Sequence, residues 1–152
     1  MKENERTGIF VGSFNPFTIG HLSVVTRALP LFDRLVIGVV GQQQQKPGQP
    51  TAEERVENIK AVFRKEEKVE VKPYYGLAVD FALKENAHYI VKGVRSVKDF
   101  EYEREQADIN RQITDGKVET ILFLSEQHLS SVSSSMVREL QHYGFDVAPF
   151  LP

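Results

Sequence analysis

Short apolar runs alternate with longer amphipathic segments along the chain, and this alternation predicts five strands separated by helices. Several of the runs have no polar face, which is typical of strands in a parallel sheet that is covered on both sides. The predicted strands lie at Gly8–Gly12, Arg34–Val40, Val69–Tyr75, Tyr89–Val94 and Glu119–Leu124.

Helical spacing marks the segments between and after these strands. The clearest helix begins at Thr51, which forms a capping box with Glu54. Val56, Ile59 and Phe63 follow at helical spacing. The predicted helices lie at His21–Leu31, Thr51–Lys65, Leu77–Asn86, Asp99–Thr114 and Ser135–His142. The alternation of strand and helix predicts an α/β fold with a Rossmann-like, doubly wound, five-stranded parallel sheet, in which ligands bind where the strands end.

Composition narrows the class of protein. With 152 residues, 41% of them hydrophobic, the chain suits one domain over residues 1–152. A net charge of -2 disfavours nucleic acid or an anionic membrane as partner, although a local basic pocket for a small anion is compatible with it. There is no cysteine, no signal-peptide pattern and no apolar run of the ~20 residues that a membrane span needs. We therefore expect a cytoplasmic protein.

The sequence "GSFNPFTIGH" joins the first strand to the next helix. Thr18 and His21 lie one turn apart at the start of that helix, where free backbone N–H groups and the helix dipole favour a phosphate. An imidazole can donate a hydrogen bond to a phosphate oxygen. The alternative is that His21 only caps or fills the helix start. Because neither G-x-G-x-x-G nor G-x-x-x-x-G-K-[ST] occurs in the chain, a phosphate site would have to be built differently from those motifs.

A second candidate segment is "VKGVRSVKDFEYERE". We expect its strand to end in Lys92 and Gly93 to allow a close approach of a ligand. Lys92 and Arg95 could neutralise phosphates. Glu103 could orient Arg95, or bind a ribose hydroxyl or a metal-bound water. The surrounding acidic residues are interpreted as a solvated helix face: Asp99, Glu101 and Glu105.

A third candidate is the serine run in "LSSVSSSMVREL". It holds more serines than an N-cap requires, and hydroxyls with free N–H groups at a helix start make a neutral phosphate cradle. The alternative is a polar loop with a single cap. The glutamine-rich stretch Gly41–Pro50 is either a mobile active-site loop or a plain surface loop. The remaining histidines show no spacing typical of metal ligands or of a nucleophile with its base: His88, His128 and His142.

Together the three segments resemble bacterial phosphopantetheine adenylyltransferases, from about Thr7 to Pro152. "GSFNPFTIGH" is similar to the family signature G-[ST]-F-[DN]-P-x-T-x-G-H. "KGVRSVKDFEYE" is similar to [RK]-G-[LIV]-R-x-x-x-D-[FY]-E-Y-E, and "VSSSMVRE" to I-S-S-[ST]-x-[LIV]-[RK]-E. The first and third patterns also occur in related nucleotidyltransferases, and the middle one selects this family.

The resemblance implies a reaction in coenzyme A biosynthesis. An adenylyl group passes from ATP to 4'-phosphopantetheine, giving dephospho-coenzyme A and pyrophosphate, with Mg²⁺ and with His21 stabilising the transition state. It also implies a homohexamer and coenzyme A as a feedback ligand. Because the chain has no cysteine and no apparent activated nucleophile, we expect direct in-line attack on the α-phosphate, with catalysis by positioning and charge stabilisation.

The resemblance also implies site residues. Ser13 and Phe14 correspond to residues that touch the nucleotide and the acceptor. The other implied ATP contacts are His21, Gly93, Val94, Arg95, Glu103, Leu129, Ser130, Ser131, Val132, Ser133, Ser134 and Ser135. The implied acceptor contacts are Ser13, Gln45, Lys46, Ala78 and Lys92.

Three positions depart from the family pattern. Lys92 stands where arginine is common, which keeps the charge but loses bidentate geometry. Gln45 aligns with a substrate-binding lysine, and Lys46 beside it is expected to take that role. Ala78 stands where a larger side chain often contacts the pantetheine arm. Two alternatives follow: another transferase of the superfamily, such as one acting on nicotinamide mononucleotide, or a nucleotide-sensing module without catalysis.

Overall fold

All five strands run parallel in one sheet. The computed structural model describes residues 4–41 and 47–152. The strands are β1 (Thr7–Gly12), β2 (Arg34–Val40), β3 (Val69–Tyr74), β4 (Tyr89–Val94) and β5 (Glu119–Leu124). Their order in the sheet is β3-β2-β1-β4-β5, so the winding reverses between β1 and β4. This order confirms the predicted doubly wound α/β fold and places the ligand crevice at the carboxyl ends of β1 and β4.

The helices begin close to the predicted positions. They are α1 (Ile19–Ala28), α2 (Ala52–Val62), α3 (Ala78–Lys84), α4 (Val97–Ile113) and α5 (Ser134–His142). The predicted capping box is present at α2, where the N–H of Glu54 donates to Thr51 Oγ1 at 3.0 Å and the N–H of Thr51 donates to Glu54 Oε2 at 3.1 Å. Helix α1 ends before the predicted limit because Pro30, in the 3₁₀ turn Leu29–Leu31, has no N–H for a helical hydrogen bond.

The core lies in two layers, one on each face of the sheet. Alternate residues of β1 enter opposite layers: Phe10 packs on the face covered by α1 and α2, and Ile9 packs on the face covered by α3. The largest group of buried side chains on the first face includes Val25 and Ile59. Because both faces are covered, the strands read as apolar runs rather than as alternating ones.

Close packing of α1 on the sheet explains why position 93 is a glycine. A Cβ atom at Gly93 would lie 2.9 Å from Val24 Cγ2, so a side chain there would push α1 away from β4. The structure gives Gly93 a packing role, and the approach of a ligand to it stays a prediction. Among the described residues, no helix combines the length and apolar content that crossing a membrane would need.

A network of charges ties the amino ends of β2 and β3 to the end of α3. Arg34 donates from Nε to Glu70 and from Nη2 to Glu85 Oε1 at 2.7 Å, while Lys72 Nζ lies 2.8 Å from the same Glu85 oxygen. The hydrogen bond from Arg34 is the largest cause that lowers the pKa of Glu70. Burial raises the pKa of Glu85, but hydrogen bonds from Lys72 and Arg34 outweigh it, so the net shift is downward.

Replacing Glu85 with glutamine should destabilise the protein at pH 7. The change removes a negative charge that contacts both Arg34 and Lys72, and a hydrogen bond to a charged group contributes about 1.5–3 kcal/mol to the free energy of unfolding. A carboxylate with a lowered folded-state pKa stabilises the fold above its ordinary pKa of 4.5, and this contribution is lost as the pH falls through the folded-state value. Urea unfolding should therefore show the full difference at pH 7 and a smaller one near pH 3.

The matched control is Glu119→Gln, which removes the ion pair between Glu119 and Arg111. Both side chains of that pair are about half exposed. Water screens such a pair, so its loss should cost less than the loss of Glu85. Equal stability of Glu85→Gln and the parent at pH 7 would show that the network does not stabilise the fold.

Candidate functional site

A cavity of about 380 Å³ lies at the carboxyl edge of the sheet, between the ends of β1 and β4. We call it the β1–β4 cavity. Its lining draws on all three candidate segments. The predicted site residues that line it are Ser13, Phe14, His21, Lys92, Gly93, Val94, Arg95, Glu103, Leu129, Val132, Ser133, Ser134 and Ser135. Segments far apart in the sequence therefore meet at one place.

Five predicted site residues are not in this lining. The hydroxyl of Ser130 donates to the Gln127 carbonyl at 2.9 Å, and Ser131 is exposed. Ala78 is the first residue of α3 and packs against the core layer that α3 covers. Gln45 and Lys46 lie outside the residues that the structure describes. The lining brings the other predicted residues together, and the binding roles of all of them stay predictions.

His21 and Thr18 hold each other at the start of α1. Thr18 is the N-cap, and its backbone N–H donates to His21 Nδ1 at 2.9 Å. The N–H of His21 donates in turn to Thr18 Oγ1 at 3.4 Å. Because Nδ1 accepts a hydrogen bond, the neutral ring carries its hydrogen on Nε2. The two sequence-based interpretations of His21 are thus compatible: the same ring caps the helix and lines the cavity.

The surroundings of His21 keep it uncharged. Burial, and to a smaller extent the positive charge of Arg95, lower its pKa from 6.5 to about 4. The ring of Phe14 meets the imidazole edge-on at 5.0 Å between centroids, and Phe17 lies at 5.3 Å. At neutral pH the imidazole is therefore a hydrogen-bond donor without a charge, and it is poorly suited to exchanging protons.

The loop before α1 contains a left-handed residue that is not glycine. Phe14 has φ 48°, and the Asn15–Pro16 peptide bond one residue later is cis. A left-handed conformation costs a residue with a side chain about 1–3 kcal/mol. The ring of Phe14 is buried and packs against Phe10 and Phe17, and this burial offsets the strain. The turn leaves Ser13 exposed in the wall of the cavity.

The two cations at the end of β4 have different acidic partners from those expected. Lys92 Nζ lies 3.7 Å from Glu103 Oε2, whereas Arg95 Nε lies 3.7 Å from Asp99 Oδ2. Asp99 also accepts the N–H of Arg95 at 3.2 Å. Ser96 caps α4, so Asp99 is the third helical residue and its carboxylate reaches back past the helix start. Asp99 rather than Glu103 is therefore the acidic partner of Arg95, and the pair is partly exposed, as expected of a solvated helix face.

The serine run ties α5 to the loop before α1. Ser133 is the N-cap of α5 and accepts the N–H of Met136 at 3.1 Å. The hydroxyl of Ser134 donates to the Pro16 carbonyl at 2.7 Å. These hydroxyls therefore fix the start of α5 beside the start of α1. The first turn of a helix supplies N–H groups that have no acceptor within the helix, which favours an anion at this place.

Arg138 is a cavity residue that sequence reasoning missed. Its Nη1 donates to the carbonyl of Asn15 at 2.5 Å and its Nη2 to Ser135 Oγ at 3.2 Å. Arg138 comes four residues after Ser134, and side chains of a helix lean toward its amino end. That spacing was the available signal for a cation near the helix start.

A second cavity of about 330 Å³ adjoins the first at the start of α2, and we call it the α2 cavity. Its lining is Ser13, Asn15, Gln49, Pro50, Thr51, Ala52, Glu53, Arg55, Tyr75 and Arg138. Ser13 and Arg138 line both cavities. The two cavities therefore meet at these two side chains.

Acidic ligands for a metal ion are sparse around the β1–β4 cavity. Over residues 4–41 and 47–152, no three His, Asp or Glu side chains are grouped so that they could hold a metal ion. The carboxylate in the cavity lining, Glu103, is paired with Lys92. Mg²⁺ is commonly bound by one or two carboxylates together with the phosphates of a substrate, and Glu103 is the carboxylate that this lining offers.

Two solved structures share the fold. A bifunctional NMN adenylyltransferase/ADP ribose pyrophosphatase from Francisella tularensis superposes with a TM-score of 0.72 at 14% identity, covering 97% of this chain and 45% of that one. A putative nicotinate-nucleotide adenylyltransferase from Vibrio parahaemolyticus gives a TM-score of 0.69 at 17% identity, covering 97% and 86%. At these identities the likeness concerns the fold alone.

Sequence relatives are much closer. The profile of the cytidylyltransferase-like family matches residues 9–140. The phosphopantetheine adenylyltransferase of Phocaeicola vulgatus is 50% identical over 147 residues, which cover 97% of this chain and 95% of the relative. The protein of the same name from Bacteroides fragilis is 46% identical over 147 residues, covering 97% and 96%. The resemblance seen in the three sequence segments is confirmed, and the chain belongs to the phosphopantetheine adenylyltransferase family.

Proposed function

We propose that the protein transfers the adenylyl group of ATP to 4'-phosphopantetheine, forming dephospho-coenzyme A and pyrophosphate in coenzyme A biosynthesis. Family membership supplies the reaction, and one observation carries its geometry: two cavities meet at Ser13 and Arg138. A direct transfer requires two substrates to lie next to each other with their reacting atoms aligned. Adjoining cavities at the carboxyl edge of the sheet provide that arrangement.

ATP is assigned to the β1–β4 cavity. Arg95, oriented by Asp99, brings a positive charge to its wall, and the start of α5 adds backbone N–H groups. Both features favour the triphosphate. The implied contacts at Ser130 and Ser131, which the cavity lining does not include, rest on the family resemblance.

The acceptor is assigned to the α2 cavity, with its phosphate near Ser13, where it can reach Lys92 in the β1–β4 cavity. Ser13 is exposed and lines both cavities, and Lys92 lines the β1–β4 cavity. Both can donate hydrogen bonds to a phosphate. The further acceptor contacts at Gln45, Lys46 and Ala78 rest on the family resemblance.

The chemistry is a single displacement at the α-phosphorus of ATP. A phosphate oxygen of the acceptor forms the new P–O bond while the bond to the β-phosphate oxygen breaks, and pyrophosphate leaves. The neutral Nε2–H of His21 donates to a non-bridging oxygen of the α-phosphate, where negative charge is redistributed in the transition state. Mg²⁺ bound to the phosphates of ATP would supply neutralisation of charge on the pyrophosphate.

Exposed apolar side chains on α4 support the assembly that the family implies. Tyr102, Ile109 and Ile113 lie along one side of the helix, whereas the exposed Val97 and Phe100 lie on another side near its start. An exposed apolar stripe marks a surface for protein contact. We therefore propose that copies of the chain associate as a homohexamer in the cytoplasm. Coenzyme A, which contains both the adenylyl and the pantetheine parts of the product, is proposed as a feedback ligand.

Pyrophosphate release should depend on the acceptor. With ATP and Mg²⁺ present, addition of 4'-phosphopantetheine should start the release of pyrophosphate, measured by a coupled phosphate assay, and nicotinamide mononucleotide should not. Release with nicotinamide mononucleotide alone would assign the protein to another branch of the superfamily. ATP binding without release for either acceptor would favour a nucleotide-sensing module.

Replacing His21 with alanine should lower kcat by about 10²–10³, since the loss of one hydrogen-bond donor to a developing charge costs that much in other enzymes. The affinity for ATP, measured by calorimetry, should change far less, because the interaction is stronger in the transition state than with bound ATP. Thermal melting must accompany the kinetics, because the variant also loses half of the cap at α1. A fall in turnover that only follows the unfolded fraction would leave His21 with its capping role alone.

A further inference from the structure

Arg55 places a buried positive charge in the wall of the α2 cavity. The residue is 9% exposed and lies on the first turns of α2, whose other buried positions include Val56 and Ile59. Its Nη1 donates to the carbonyl of Ser13 and, at 3.3 Å, to the carbonyl of Val40. Within the described part of the chain, no carboxylate pairs with it inside 4.0 Å. The hydrogen bonds that the guanidinium makes in the described residues thus go to two backbone carbonyls.

These two carbonyls belong to neighbouring strands at the edge where the cavities lie. Ser13 directly follows β1, and Val40 is the last residue of β2. A single side chain therefore spans the carboxyl ends of β1 and β2. Because the Ser13 carbonyl is part of the peptide that leads into the left-handed Phe14, holding that oxygen also fixes the orientation of the turn.

The turn in question serves both halves of the site. On one side of the peptide, Ser13 lines both cavities. On the other side, the ring of Phe14 packs edge-on against His21. A tilt of this peptide would move the Ser13 hydroxyl and the support of the imidazole together.

Burying a charge for packing alone is unfavourable. A cation taken out of water carries a desolvation cost, which an apolar side chain at the same helix position would avoid. The apolar neighbours Val56 and Ile59 show that α2 can attach to the sheet by apolar contact. Compared with an apolar side chain, the guanidinium of Arg55 adds hydrogen bonds to the carbonyls of Ser13 and Val40, which follow and end two neighbouring strands.

We propose that Arg55 is a positioning residue for the adenylyl transfer. It holds the Ser13–Phe14 peptide in the orientation that lets Ser13 and His21 contact the reacting phosphates. The proposal rests on the proposed function. Displacing a reacting group by about 1 Å can cost 10²-fold in rate even when substrates still bind. Loss of Arg55 should therefore appear in kcat more than in the KM for ATP.

The test compares Arg55→Met and Arg55→Lys with the parent enzyme in steady-state kinetics with ATP and 4'-phosphopantetheine. Arg55→Met removes both hydrogen bonds, and we expect kcat to fall by about 10²-fold while the KM for ATP stays within about threefold. Both hydrogen bonds come from Nη1. Arg55→Lys keeps the charge but carries it on a shorter, flexible side chain without the planar guanidinium, so it should hold the two carbonyls less well, and its kcat should lie between those of Arg55→Met and the parent. If Arg55→Met does not fold, Arg55→Lys decides the matter, with an expected kcat loss of about tenfold.

Two controls separate positioning from stability. Arg64→Met makes the same substitution at an exposed arginine after α2 and should change neither kcat nor the melting temperature. Ile59→Val removes a core methyl group from α2, and it should lower the melting temperature without changing kcat. All rates are divided by the folded fraction at the assay temperature.

The outcomes are distinct for the two proposals. A parent protein that releases no pyrophosphate with this acceptor would overturn the proposed function and the role of Arg55 with it. An active parent whose kcat is unchanged in Arg55→Lys and in any folded Arg55→Met would overturn the role of Arg55 alone. The role of Arg55 would also be overturned if Arg55→Met lost no more kcat than Ile59→Val, with the two variants melting at the same temperature.

Discussion

The parallel arrangement of β1 between β2 and β4 decides where this protein can do chemistry. Every strand-to-helix loop opens at the same edge of the sheet, and the reversal of winding between β1 and β4 leaves a crevice there that no crossover covers. The loops after β1 and β4 and the start of α5 therefore converge, although they are far apart in the sequence. The two cavities, His21, Arg55, Arg95 and Arg138 all lie at this edge.

Structural and functional contacts are shared by the same side chains at this edge. His21 caps α1 with its Nδ1, and that contact fixes which ring nitrogen carries the hydrogen. Ser134 anchors α5 to the loop before α1, which places one more helix start beside the cavity. A substitution at such a position changes stability and catalysis together, so kinetic measurements need a folded fraction beside them.

The fold was predictable because its signals are local. Each apolar run and each capping box is contained within a few neighbouring residues. The strands and the starts of α1 and α2 could therefore be placed from spacing alone. The three motifs also sufficed to identify the β1–β4 cavity. The sequence predicts the close approach of a ligand to Gly93, whereas its packing against Val24 could not be predicted because Val24 belongs to another element.

Partners across elements were not predictable in the same way. Whether Arg95 pairs with Glu103 or with Asp99 depends on how α4 is rotated and where it begins. Arg55 and Arg138 bind backbone carbonyls of distant loops, and a carbonyl leaves no trace in the amino-acid sequence. The loop with Gln45 and Lys46 lies outside the described residues, so the acceptor contacts there stay predictions.

The central claim is that His21 presents a neutral Nε2–H to the cavity. The most direct measurement is the ¹⁵N NMR signal of its imidazole as a function of pH, identified among the four histidines of the chain by its absence in His21→Gln. The account predicts a hydrogen on Nε2 and no titration between pH 8 and pH 5, since the pKa is lowered to about 4. A titration near pH 6.5, or a neutral ring with its hydrogen on Nδ1, would contradict it.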